Sequence, residues 1–255
     1  MGNTPEILTL ADNESDDFGQ YCSHDISGYA YGFAFYEASE GNLVYQVYYT
    51  DTMGTSRVEP DTNYDVGQYC SLEFSSGVPA ISYYDKSHYW LKFAKYNGST
   101  WDVEVVDDGG EDEDAVGRYT SLSYKSSSVP TIAYYNDSDG DPWLAIWNTS
   151  TSEWDRDVIP TATQGNFGEF MSHDWIGGTK AGFSFGLRIS TPPTSTVYLR
   201  FIYYDGENYT DLGSPGGRNT SLVWEDADTC WISHWYLRTS PEQDSHVRCA
   251  RFDAS

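Results

Sequence analysis

One short motif, Gly-x-Tyr/Phe-x-Ser, governs what this chain can fold into. It stands at Gly19-Gln-Tyr-Cys-Ser23, Gly67-Gln-Tyr-Cys-Ser71, Gly117-Arg-Tyr-Thr-Ser121 and Gly168-Glu-Phe-Met-Ser172, with a degenerate fifth copy at Gly217-Arg-Asn-Thr-Ser221. The intervals of 48, 50, 51 and 49 residues are those of a repeat architecture with one supersecondary unit per period.

The stretch from Asp65 to Gly110 shows the unit most plainly. It reads as four short strands at Tyr69–Phe74, Ala80–Tyr84, Trp90–Tyr96 and Asp102–Val106, divided by turn residues at Ser75-Ser76-Gly77, Asp85-Lys86-Ser87 and Asn97-Gly98. A content of 22 Tyr, 9 Trp, 11 Phe and 23 Gly suits strands and tight turns, and no segment reads as a helix. The fifth copy stops one strand short, while Glu6-Ile-Leu-Thr-Leu10 resembles the last strand of the unit, Val103-Glu-Val-Val106. An N-terminal strand that completes the last module closes the ring and leaves no free sheet edge at the join. The expected fold is therefore all-β: a five-bladed β-propeller of four-stranded blades, one domain over residues 1–255. Its repeats fall near 18–64, 65–114, 115–165, 166–214 and 215–255 plus 5–12. A pair of β-sandwiches is the competing arrangement.

The repeat carries Ser-Leu on its first strand and Pro-x-Ile-x-Tyr-Tyr-Asp on its second, and so resembles a family of β-propeller repeats in uncharacterised bacterial and archaeal proteins. The likeness is close over Gly67–Asp107 and Gly117–Asp157, looser in the first and fourth copies and faint in the fifth. It implies a fold and leaves function to the residues.

Charge narrows the partners. With 39 Asp plus Glu against 14 Lys plus Arg, the net charge of −25 repels nucleic acid and anionic membranes. Carboxylate excess with scarce lysine resembles the protein style of salt-loving archaea and their viruses. No apolar run is long enough to span a membrane, and no leader-like segment follows Met1, so membrane insertion is not expected. An oligomer is compatible with all of this.

The first strand of each blade borders the central channel. Read by period two, one set holds Tyr21, Ser23, Asp25; Tyr69, Ser71, Glu73; Tyr119, Ser121, Ser123; and Phe170, Ser172, Asp174, and is expected to face the axis. The alternate set, including Cys22, Cys70, Leu72 and Leu122, is expected to pack between blades. Asp25, Glu73 and Asp174 then share one channel, a three-carboxylate pattern found in several glycoside hydrolase families. They lie past the serine ring, toward the far ends of their strands, and the other two copies carry Ser123 and Val223 there, so no catalytic residue is assigned. Ser23-His24-Asp25 and Ser172-His173-Asp174 cannot act as triads, because neighbours on a strand point to opposite faces; both histidines read as packed.

Two further motifs touch on ligands. Asp137, Asp139 and Asp141 alternate around Gly140, the raw material of a calcium loop, so Ca2+ is the single cofactor the chain raises. Cys230 and Cys249 fall on adjacent strands of the last module and are candidates for a cross-strand disulfide.

Blade links and the hairpins between second and third strands emerge on one side. That side gathers carboxylates with the strand-end aromatics Tyr36, Tyr84, Tyr135, Trp235 and Tyr236 and the loop residues Asp85 and His88, which suit the C–H faces and hydroxyls of a sugar and also protein contacts. The expectation is a non-catalytic recognition or structural propeller on a virion or cell surface in high salt, binding a surface glycan or protein of a host or of the same particle. The alternative is a glycoside-hydrolase-like enzyme using the channel carboxylates.

Overall fold

The computed structural model describes residues 17–50, 52–60, 63–110, 114–161, 166–191, 194–211, 218–238 and 244–253. Each repeat becomes an antiparallel meander whose strands lie side by side in chain order. Blade 1 is β1 (Phe18–Ser27), β2 (Ala30–Glu37), β3 (Asn42–Tyr49) and β4 (Thr52–Arg57). Blade 2 is β5 (Val66–Ser75), β6 (Val78–Asp85), β7 (Trp90–Tyr96) and β8 (Trp101–Asp107), and blade 3 is β9 (Val116–Ser126), β10 (Val129–Asn136), β11 (Asp141–Asn148) and β12 (Glu153–Val158). Blade 4 is β13 (Asn166–Ile176), β14 (Lys180–Thr191), β15 (Thr194–Tyr204) and β16 (Tyr209–Asp211); blade 5 contributes β17 (Arg218–Trp224), β18 (Thr229–Arg238) and β19 (Asp244–Asp253). Together they form a five-bladed β-propeller. The segment 5–12, expected to complete the fifth blade, lies outside the described residues. Among the described residues no helix is long and apolar enough to cross a membrane.

Burial peaks at the second strand of each of blades 2 and 3 and falls toward the rim, in the manner the sequence dictates. The second strands β6 and β10 are buried along nearly their whole length, because blades cover both their faces, and they read as continuous apolar runs. The outer strands β8 and β12 keep most of their residues in water. The cores therefore lie between blades: Leu43, Tyr45 and Val58 of blade 1 pack with Leu72, Ile81 and Tyr83 of blade 2.

The Gly-x-aromatic-x-Ser motif proves to be a β-bulge. Pairing of the inner strand slips between Gln20 and Ser23, Gln68 and Ser71, Glu169 and Ser172, and Arg218 and Ser221. At each bulge the aromatic takes a left-handed backbone, with φ of 52° at Tyr21, 55° at Tyr69, 54° at Tyr119 and 57° at Phe170. Such a conformation costs a bulky residue about 1–3 kcal/mol. The fifth copy holds Asn219 at φ 53°, and asparagine tolerates this region best, which explains the one departure from the motif. Glycine is required two residues earlier for a second reason: a Cβ on Gly67 (φ 108°) would stand 2.6 Å from Leu43 Cβ of the preceding blade.

Past the bulge, serine clasps one blade to the next. The hydroxyls of Ser23, Ser71, Ser121 and Ser172 accept the amides of Leu72, Leu122, His173 and Leu222 at 2.9–3.0 Å, always from the following blade. The junction from blade 5 to blade 1 differs among the described residues. There Ser221 and His24 are exposed, as are Ile26 (54 %) and Tyr31 on one wall and Val223 (59 %) and Val247 (81 %) on the other. Cys22, expected to be a buried hydrophobe like Cys70, is exposed for this reason, and so is His24, whereas His173 is packed.

Candidate functional site

The bulge aims the motif aromatics at one end of the channel. Ring centroids run from Tyr21 to Tyr69 at 4.4 Å, Tyr69 to Tyr119 at 4.6 Å and Tyr119 to Phe170 at 5.0 Å, each pair tilted by about 50°. With Asn219 these rings form a collar around a shallow dish of about 270 Å³. Burial and the neighbouring Tyr119 and Tyr21 hydroxyls raise the Tyr69 phenol, which keeps its proton.

Below the collar, a cavity of about 630 Å³ holds the serines together with Asp25, Glu73 and Asp174. Two of the three carboxylates are engaged by the fold. Asp25 accepts the amides of Phe74 in the next blade and of Ile26, each at 2.7 Å. Asp174 accepts Ser123 Oγ at 2.9 Å and its neighbour's amide, Trp175 N, at 2.8 Å. Glu73 differs. Burial first, then the charges of Asp25 and Asp174, push its carboxyl up to about 8, so it carries a proton at neutral pH. His173 is fully packed beneath, stacked on Phe183, and burial lowers it to about 3.

The strand-end tyrosines are not a free rim. Tyr36, Tyr84 and Tyr135 are buried to 5 %, 1 % and 4 % exposure, each behind the collar ring of its own blade, 6.1–6.2 Å away. Tyr36 further donates to Asp65 at 2.6 Å, and Arg118 lies over the Tyr84 ring. Asp85 is also interior: it takes His88 Nδ1 at 2.8 Å and Lys92 Nζ at 2.9 Å, and Lys92 continues to Glu59 at 2.7 Å. His88 is held between this carboxylate and Trp90, on which it stacks at 4.5 Å. The side chains of Trp235 and Tyr236 lie outside the described part of the structure.

The calcium reading does not fit. Asp137 pairs with Arg118 at 3.0 Å, and Asp139 takes the Asn136 side-chain amide, while Asn136 in turn caps the amides of Ser138 and Asp139. The turn is closed by its own asparagine, and among the described residues no three His, Cys, Asp or Glu come together as a metal site. The disulfide is likewise corrected. Cys230 pairs with Phe252 and Cys249 with Ser233, three positions out of register, so Cys230 is buried and Cys249 exposed, and both are free.

Sequence reasoning missed a groove of about 660 Å³ between blades 1 and 2. The β7–β8 turn builds one wall. Asn97 Oδ1 accepts the amides of Ser99 and Thr100, Gly98 takes φ 99°, and Trp101 is delivered across to blade 1. There its ring meets Tyr45 edge-on at 5.1 Å, and Nε1 donates to Ser56 Oγ at 3.2 Å. The same device recurs one junction on, where Asn148 presents Trp154 to Phe93 and Nε1 donates to Glu104. The difference lies in β4: registers place Ser56 and Gly54 where β8 has Glu104 and Asp102 and β12 has Asp157 and Asp155. Small side chains leave the space open. The legible signal was the run Thr52-Met-Gly-Thr-Ser56, poor in bulk beside its counterparts.

Fold and channel thus define a five-bladed β-propeller whose inner strands are joined by hydroxyls and carboxylates. The chain is similar in structure to a Dyadobacter fermentans protein of unknown function (TM-score 0.68, 12 % identity, covering 99 % of this chain and 80 % of that one). It is also similar to the catalytic domain of a Coprinopsis cinerea GH62 α-L-arabinofuranosidase (TM-score 0.58, 10 % identity, 98 % and 95 %). A third likeness is to the β-propeller domain of the Trilobed protease from Pyrococcus furiosus (TM-score 0.55, 9 % identity, 95 % and 70 %). At such identities the likeness is one of fold. No family model and no curated protein matches the sequence.

Proposed function

We propose that this is a non-catalytic recognition propeller that binds carbohydrate at the surface of a cell or particle in salt-rich surroundings. The engagement of the channel carboxylates carries the reading. Asp25 and Asp174 accept hydrogen bonds that tie blades and strands, and hydrolysis needs one carboxyl free to protonate the scissile oxygen and a second free to attack the sugar or activate water. The aromatic collar and the groove offer ring faces beside hydroxyls, the combination that suits sugars. A net charge of −25 supports a working medium of high ionic strength.

One observation favours a second reading, glycoside hydrolysis: among the described residues no hydrogen bond ties the Glu73 carboxyl to the fold, and it holds a proton to about pH 8, as a general acid must. A glycan array and a cell-envelope pull-down in molar salt, run beside turnover assays on aryl glycosides, separate the two. Binding without turnover is expected. Turnover that disappears in Glu73→Gln would instead establish the hydrolase.

A further inference from the structure

We infer that the groove between blades 1 and 2 is a binding site for a single pyranose ring. This rests on the carbohydrate reading above and assigns it a place.

The groove has the size of a small-molecule site and the right composition for a sugar. Trp101, Tyr96 and the half-exposed Tyr49 supply aromatic surface. Trp101 is fixed by its bond to Ser56 and by the ring of Tyr96 at 5.5 Å, so its surface is organised before any ligand arrives. Around it stand hydroxyls. Thr100 Oγ1 accepts from the Asn97 side chain at 3.1 Å and keeps its own proton to donate; Thr55 and Ser99 line the same space.

Charge points the same way. The chain has 39 acidic residues, yet no Asp or Glu lines the groove, and its one charged lining residue is Arg57, held by Glu37 at 3.2 Å. A neutral or carboxylate-bearing pyranose is accepted there, whereas the rest of the surface repels anions. The neighbouring junction is an internal comparison: with Glu104 in place of Ser56, the outer strand reaches the tryptophan with a longer side chain.

That comparison supplies the test. Ser56→Glu copies what blade 2 already carries, so the acceptor for Trp101 is kept while the groove is filled and made anionic. Gly54→Leu is the second variant; its backbone is in an ordinary conformation and a Cβ meets Val47 Cγ1 at 3.4 Å, an ordinary contact. Saturation-transfer NMR with methyl glycosides of glucose, galactose, mannose and glucuronic acid would be recorded on the full chain and both variants, with melting curves as the folding control. The expected result is transfer from the wild type to at least one glycoside, with affinity falling about tenfold or more in a folded variant. A glycoside bound equally by wild type and folded variants overturns the groove but keeps carbohydrate recognition elsewhere on the molecule. No glycoside bound by the wild type overturns both.

Discussion

Ser121 and His173, one blade apart, hold each other by two hydrogen bonds. Ser121 Oγ accepts the His173 amide at 2.9 Å and stands 3.1 Å from Nδ1. Thr131 Oγ1 gives its proton to the Ser123 carbonyl and so must accept from His173 Nε2 at 2.9 Å; Nδ1 is then the acceptor, and Ser121 donates to it. Removing this hydroxyl strands a buried amide and a buried ring nitrogen. Ser121→Ala is expected to cost about 1–3 kcal/mol. The exposed Ser221→Ala should stay within about 0.5 kcal/mol. Urea denaturation of both measures the difference, and equal losses would show that the clasps contribute nothing.

A methyl group at Gly67 meets two penalties. The position has φ 108°, and the new Cβ would stand 2.6 Å from Leu43 Cβ and 2.8 Å from its Cα. Gly67→Ala should lose about 3 kcal/mol or more. Gly98→Ala, at φ 99° with nothing within 4 Å, meets only the backbone penalty and should lose about 1 kcal/mol. Similar melting temperatures for the two would refute the close approach of blades.

Glu73 makes stability depend on pH. In the unfolded chain its carboxyl ionises near 4.5, in the folded protein only near 8, so between those values the native state holds the extra proton and stability falls as pH rises. Glu73→Gln removes this slope: the variant should match the wild type at acid pH and exceed it in melting temperature above pH 8. Asp174, also raised by burial, remains in both proteins and cancels in the comparison. A slope unchanged by the substitution would place the titration elsewhere.

Salt should stabilise the protein. At a net charge of −25, self-repulsion across the surface falls as the screening length drops from about 10 Å in 0.1 M salt to about 3 Å in 1 M. The melting temperature is expected to climb by several degrees over that range with sodium chloride, and a flat profile would count against a salt-rich habitat.

Much of the fold was legible because each repeat carries its own punctuation. Gly-x-aromatic-x-Ser marks the inner strand, and Pro79 to Asp85 the second, closely enough to number the blades. The site was less legible. Period-two reading of Tyr69 and Ser71 cannot reveal the bulge between them, since nothing in an ordinary tyrosine announces a left-handed backbone. The burial of Tyr84 was hidden for the same cause: the collar ring that covers it is displaced by that bulge. Register defeated the pairing of Cys230 with Cys249, which needs the hairpin's length to within one residue. The groove was invisible because it is defined by what Gly54 and Ser56 lack relative to residues fifty positions away.

The clasps also give the molecule a direction. Every serine bond described runs from one blade to the next in chain order, so the blades are joined in series, head to tail, like links in a bracelet. Among the described residues the series is not continued at the junction where Ser221 and His24 face water. A pull on residues 18 and 253 would load that junction first, and the blades on either side of it would peel before those opposite.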